Sequence, residues 1–283
     1  TFFHKFLMCF HTSKIIHFII YIIMFYINSI KKQFFQDLKA IFLENEISSI
    51  WNQWVVKEIL DMTLIEYFSK GDFLLRKKTL AQIKLLTSHL LSGKPIQYFF
   101  KYTYFKGLKI HLNSNVLIPR PETEELVDLV LRYTENMTVN NMIDIGVGSG
   151  CISIALKKII NTHCVGIDYC SDILNLAAQN AKYHNVDIDF VLMDILNTNN
   201  YNHLSKVDII VSNPPYVIQS DVPKGSVVFH EPEKAIFVNK HDPLIFFKSI
   251  CQLANKRLNE GGKIFFEINS KLVSELSDLI MSF

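Results

Sequence analysis

From Pro119 onward the sequence changes its period. Short apolar runs at Met142–Ile145, Val165–Asp168, Phe190–Met193, Val207–Ser212 and Lys263–Ile268 alternate with stretches of helical spacing at Cys151–Ile160 and Ile173–His184. Strands separated by helices are joined by crossovers and not by hairpins, so they pair in parallel as βαβ units. The reading for residues 119–283 is therefore an α/β domain with a Rossmann-like sheet. In such sheets ligands bind outside the carboxyl ends of the strands, so the loops that follow these runs are where chemistry is to be sought.

The chain before Pro119 reads differently. Ser29 to Leu91 carries apolar residues such as Phe34, Leu38, Ile41 and Phe42 at three- and four-residue spacing, repeated around Ile59–Phe68 and Leu80–Leu91, with no proline in between. This predicts a small helical domain over residues 24–92 with a mildly basic surface. Gly93 and Pro95 break the pattern. Ile96–Phe100 and Leu108–Leu112, with Gly107 between them, are expected to form a β-hairpin linker over 93–118. The run Ile15–Ile27 is almost wholly apolar but about a dozen residues long and contains His17. A membrane-spanning helix needs about 20 residues. No small-residue cleavage site follows, and the chain begins with Thr1; residues 1–23 are read as a non-native or upstream extension with Met24 as the start, and no membrane association is expected.

The charge balance excludes one class of function. A formal net charge of +2 does not suit a protein that coats nucleic acid, and no stable nucleic-acid binding is expected. The five cysteines, Cys9, Cys151, Cys164, Cys170 and Cys251, are odd in number and include no CxxC pair. They predict reduced thiols in a cytoplasmic protein, with neither a disulfide framework nor a metal site.

The first motif is Asp144-Ile145-Gly146-Val147-Gly148-Ser149-Gly150, which follows a strand and opens a helix. Its glycines permit tight turning and close approach of a ligand to the backbone. The GxGxG spacing, with an acid two residues before the first glycine, differs from the GxGxxG dinucleotide fingerprint. It resembles the first motif of class I methyltransferases, in which the loop holds the methionine part of the cofactor. About 20 residues on, Asp168 ends the second strand, where a carboxylate can accept hydrogen bonds from both ribose hydroxyls. NAD enzymes use the same device, so Asp168 alone does not choose the cofactor. Asp194, at the end of the third strand, is a candidate for the adenine end of the site and equally a turn former.

The deciding motif is Asn213-Pro214-Pro215-Tyr216, directly after the strand Asp208–Ser212. Adjacent prolines stiffen the backbone, and Pro214 biases Asn213 toward an extended conformation. The segment presents two fixed acceptors, the Asn213 side-chain oxygen and the Pro214 carbonyl, and two acceptors match the two donors of a planar NH2 group. Tyr216 can offer its ring to the flat face of that group.

Asn-Pro-Pro-Tyr occurs in methyltransferases that act on amides and nucleobase amines. The stretch Val116-Leu117-Ile118-Pro119-Arg120-Pro121-Glu122-Thr123-Glu124-Glu125-Leu126-Val127 resembles the signature of the release-factor glutamine methyltransferases, the PrmC/HemK family. Gly93-Lys94-Pro95-Ile96-Gln97-Tyr98 is similar to that family too, although an acid is more usual at Lys94. His230-Glu231-Pro232, Ala235 and Asp242-Pro243-Leu244 extend the match, which covers roughly residues 29–283.

The resemblance implies a class I methyltransferase fold: a smaller amino-terminal helical domain that recruits the substrate, a hairpin linker and a Rossmann-like catalytic domain. It implies methyl transfer from S-adenosyl-L-methionine to the glutamine side-chain nitrogen (N5) of the GGQ loop of peptide chain release factors, in the cytoplasm. Gly146, Val147, Gly148, Ser149, Gly150, Asp168, Asp194 and Asn213 would bind the cofactor. Asn213, Pro214, Pro215 and Tyr216 would bind the substrate, with Asn213, Pro214 and Tyr216 catalytic. Family members usually continue past the helix at Ser270–Phe283 with two more strands, so the catalytic domain is expected to be truncated and to expose a sheet edge. The alternatives are a nucleic-acid amino methyltransferase acting on an adenine or guanine, and an inactive truncated relic.

Overall fold

The computed structural model describes residues 26–135 and 137–283. The expected upstream extension, residues 1–23, and the proposed start at Met24 lie outside the described residues. Among the described residues no helix is long and apolar enough to cross a membrane. The chain divides into two compact units, one ending at Phe99 and the other running from Phe100 to Phe283.

The first unit is helical. It contains α1 (Ile27–Leu38), α2 (Glu44–Ile50) continuing into a π-helical stretch at Trp51–Ile59, α3 (Leu64–Lys70) and α4 (Lys77–Leu91). The apolar stripe of α1 buries Ile27, Phe34 and Leu38. Phe34 meets Trp51 edge to face at 5.2 Å, and Trp51 Nε1 donates to the Tyr67 hydroxyl at 3.1 Å. Ile41, expected on the same stripe, is 49% exposed because the helix ends at Leu38 and the chain turns. The helical segment expected over Ile59–Phe68 is interrupted as well. Thr63 caps α3, its hydroxyl accepting from Glu66 N–H at 3.2 Å while Glu66 accepts the Thr63 N–H at 2.8 Å; this reciprocal pair starts a new helix.

The hairpin differs from the sequence expectation at one end. Ile96–Phe100 forms a short helix, α5, and not a strand. Its apolar run lacks period-two alternation, and Pro95 before it suits a helix start. The hairpin proper is β1 (Tyr102–Phe105) with β2 (Leu108–His111), paired antiparallel from Tyr102↔His111 to Phe105↔Leu108. Its two turn residues, Lys106 and Gly107, both have positive φ, at 49° and 73°, the combination that matches the twist of two-residue hairpins.

The second unit continues through α6 (Pro121–Thr134), β3 (Asn141–Ile145), α7 (Cys151–Lys157), β4 (His163–Asp168), α8 (Ser171–Tyr183), β5 (Asp189–Leu192), β6 (Val207–Ser212), β7 (Val217–Ile218), α9 (Glu233–Ile236), β8 (Phe237–Val238), α10 (Ile245–Arg257), β9 (Leu258–Phe266) and α11 (Val273–Met281). Five strands form one parallel sheet in the order β5-β4-β3-β6-β9, giving the expected class I methyltransferase α/β fold. Ile143, Ile145, Ile167 and Ile210 of the central strands are buried together with Ile250 and Leu253 of α10. The last strand starts earlier than Lys263 and ends at Phe266, with a register irregularity opposite Val207–Ile209. Among the described residues β9 pairs only with β6, so its outer side is a sheet edge. The chain leaves β3 for β4 and β5 on one side and returns to β6 and β9 on the other. That reversal opens a crevice beyond the carboxyl ends of β3 and β6.

Candidate active site

The loop after β3 is shaped by its backbone. Gly146, Gly148 and Gly150 have φ of 71°, 54° and 82°, values open to glycine and strained for other residues. The N–H groups of Gly146 and Val147 both donate to the Ile167 carbonyl at 2.9 Å, tying the start of the loop to the end of β4. Beneath it Asp144 is fully buried, and its Oδ2 accepts from Ser153 N–H at 3.1 Å and from Ser153 Oγ at 2.5 Å. Burial pushes the Asp144 carboxyl up to about 6, with the two Ser153 hydrogen bonds acting in the opposite direction.

Asn180 of α8 fastens the far side of the loop. Its Nδ2 donates to the Ser149 carbonyl at 2.8 Å and to the His111 carbonyl at 3.0 Å, while its Oδ1 accepts His111 N–H at 2.9 Å. One buried side chain thus joins the end of β2 to the glycine loop.

Asp168 ends β4 at 6% exposure. Its Oδ2 accepts Gly148 N–H at 3.2 Å and its Oδ1 accepts Cys170 N–H at 3.4 Å. Burial raises its carboxyl above the usual range, against these backbone bonds. Asp194, exposed at the end of the next strand, closes a local turn by accepting Leu196 N–H at 2.9 Å on its Oδ1.

These strand ends surround a cavity of about 370 Å³. Gly146, Val147, Gly148, Ser149, Asp168, Asp194, Asn213, Pro214 and Pro215 all line it. Two predicted residues do not. Gly150 stands behind the wall, where an added Cβ would lie 3.1 Å from Ile154 Cδ1. Tyr216 is half-buried beside the Asn-Pro-Pro turn, with its hydroxyl turned to Glu267.

The Asn213–Tyr216 motif is held by side chains from distant parts of the sequence. Asn213 Nδ2 donates to Thr123 Oγ1 at 3.1 Å. Thr123 Oγ1 donates to Glu267 Oε2 at 2.6 Å, and the Tyr216 hydroxyl donates to Glu267 Oε1 at 2.9 Å. Burial, then the neighbouring Glu267 charge, lifts the Tyr216 phenol well above its ordinary value, so it keeps its proton. A second clasp joins the wall segments: the buried Glu231 carboxylate accepts Ile118 N–H at 3.1 Å and pairs with Arg120. Sequence reasoning gave no role to Thr123, Asn180 or Glu267. Thr123 stood within the recognised signature, but Asn180 and Glu267 had no local signal, because only folding brings them to the site.

Residues 125–230 match a family model described as the methyltransferase small domain. The chain is 37% identical over 263 residues to a release factor glutamine methyltransferase of Flavobacterium psychrophilum, covering 90% of each protein. It is 33% identical over 248 residues to the Bacteroides thetaiotaomicron protein of the same name, covering 87% of this chain and 88% of that one. A Streptococcus pneumoniae protein, also named release factor glutamine methyltransferase, is 40% identical over 187 residues and 64% of each chain.

Proposed function

The chain belongs to the release factor glutamine methyltransferases, and from that premise we propose a division of labour within its cavity. The enzyme uses S-adenosylmethionine to methylate a release-factor glutamine. The finer reading is that the acceptor is the side-chain amide nitrogen, N5, of the glutamine in a Gly-Gly-Gln loop, and that the reaction takes place in the cytoplasm.

The residues present suit the cofactor. The cavity falls in the size range of small-molecule sites. A backbone loop with three glycines at positive φ leaves room for close approach, and a carboxylate at the end of the adjacent strand matches a ribose diol. Gly146–Ser149 would hold the methionine part, Asp168 the ribose and Asp194 the adenine end, with Gly150 shaping the loop from behind. The bound cofactor supplies an electrophilic methyl group on a sulfonium.

The chain's own task is to make a poor nucleophile react. An amide nitrogen has a delocalised lone pair, and positive charge develops on it as the new N–C bond forms. Asn213 Oδ1 and the Pro214 carbonyl accept its two N–H groups, stabilising that charge and aiming the lone pair. Pro214 and Pro215 keep both acceptors in place, and Tyr216, behind them and outside the cavity wall, braces the turn through its bond to Glu267. No general base is needed before transfer, because the nitrogen becomes acidic once alkylated and its proton leaves afterwards.

The observation that carries this reading is the Asn213-Pro214-Pro215 turn at the end of β6, lining the same cavity as the loop at the end of β3. The test is transfer of labelled methyl to a release-factor fragment containing Gly-Gly-Gln, with a Gln→Ala fragment as control. Label on the glutamine alone is expected; equal label on the control, or label only on nucleic acid, overturns it. Because the amide pocket fits any glutamine, the helical unit is assigned the selection of the protein substrate. Deleting residues 24–91 is expected to impair methylation of intact release factor far more than of a short peptide, and equal losses would remove that role.

A further inference from the structure

We infer that Thr123 and Glu267 are positioning residues that set the polarity of the Asn213 amide, so that its oxygen and not its nitrogen faces the substrate. This rests on the reading of Asn213 as an acceptor for the glutamine NH2 group.

An asparagine side chain has an accepting and a donating end of nearly the same shape, so sterics alone do not choose between its two orientations. The wrong orientation would set NH2 against NH2 and remove an acceptor from the developing charge. The choice is made by a chain of donors that begins at Glu267. An ionised carboxylate can only accept. Its Oε2 takes the hydroxyl proton of Thr123 at 2.6 Å and its Oε1 takes that of Tyr216 at 2.9 Å. A threonine hydroxyl has one proton, and once this is committed to Glu267 the oxygen has only lone pairs left. Asn213 must therefore present its NH2 to Thr123, as it does at 3.1 Å, which leaves Oδ1 on the other side.

Two further features hold the chain of donors in place. Thr123 is 2% exposed and lines the cavity, so its single hydroxyl stands between Glu267 and the site. Glu267 is registered against Asn213 by backbone, its N–H donating to the Ser212 carbonyl at 3.1 Å. Glu267 does not line the cavity. It acts through Thr123, from the end of the neighbouring strand β9, across 144 residues of sequence. The same carboxylate anchors Tyr216, so one charge fixes both flanks of the two prolines.

The experiment compares the full chain with T123V, T123S and E267Q on a release-factor substrate, measuring kcat, KM and calorimetric S-adenosylmethionine affinity. Measurements are made at a temperature where every variant keeps the wild-type far-UV spectrum. T123V removes the hydroxyl at constant shape, and E267Q replaces an acceptor-only group with one that can also donate. Both are expected to lower kcat by about 10–100-fold, with cofactor affinity unchanged within a few-fold; T123S is expected to recover most of the loss. Wild-type kcat in T123V, or a T123S loss equal to that of T123V, overturns the inference. A parallel fall in cofactor affinity would mark the two residues as structural and overturns it as well. If the wild-type enzyme leaves the release-factor glutamine unmethylated, the amide-pocket reading itself fails, an outcome distinct from an active wild type with an equally active T123V.

Discussion

The two sides of the cavity are built by opposite means. The side after β3 presents mainly backbone: a contiguous run, Gly146–Gly150, whose shape comes from positive φ and from main-chain bonds to the end of β4, with the Asp168 and Asn180 side chains pinning it. The side after β6 is a side-chain structure, in which Asn213 and Tyr216 are aimed by Thr123 and Glu267. On the proposed reading the first side wraps a flexible charged cofactor, for which loop geometry suffices. The second would tell an amide's NH2 from its oxygen, which needs directional donors and acceptors, here supplied by groups that are adjacent only in three dimensions.

The sharpest way to break this contrast is Asn213→Ala. Removing one preorganised partner of the reacting group should lower kcat by about 10²–10³-fold while the fold persists, read by methyl transfer and circular dichroism. On the other side, Asp168→Ala should weaken S-adenosylmethionine binding by roughly 10–100-fold, the cost of a charge-assisted hydrogen bond, with a much smaller change in kcat at saturating cofactor. If Asp168→Ala instead spares affinity and lowers kcat, the two sides do not divide the work as described.

Smaller effects test how the backbone side is supported. A Cβ on Gly166 would lie 2.9 Å from Val147 Cγ2 and 3.0 Å from the Phe190 ring, so β4 passes under the loop with no room for a side chain. Gly166→Ala should cost about 1–3 kcal/mol in urea unfolding, as overpacking does. The smallest effect belongs to Asp144. Its folded pKa, about 6, is raised above its unfolded value, so the folded state binds the proton more tightly and stability falls as pH rises toward and through 6. Between pH 5 and pH 8 the wild type should lose roughly 1 kcal/mol more than Asp144→Asn, and equal pH dependence in the two proteins would deny the carboxyl that role.

The legibility of the molecule follows the same division. The alternation of strands and helices after Pro119, the glycine loop and the Asn213–Tyr216 motif are contiguous patterns, and a linear reading finds them. Glu267 could not be found in this way, because an acid just beyond a strand has no local mark of a partner 144 residues earlier. Asn180 looked like any polar residue of an amphipathic helix, yet it is fully buried and fastens two segments. At the hairpin the local pattern misled: Ile96–Phe100 is apolar without alternation, and it coiled where extension was expected. Ile41 failed for a related reason, since periodicity continued past the point where the helix stopped.

The Asn180 link also bears on how the molecule breathes. A two-stranded ribbon such as Tyr102–His111 is marginal on its own. Here its last strand shares one amide side chain with the Ser149 carbonyl, so ribbon and loop belong to a common opening unit rather than fraying separately. Hydrogen-exchange protection of the ribbon amides is therefore expected to rise when S-adenosylmethionine binds the loop, although the ribbon lines no part of the cavity. Deuterium uptake at Ile110 and His111 would serve as a remote gauge of loop occupancy.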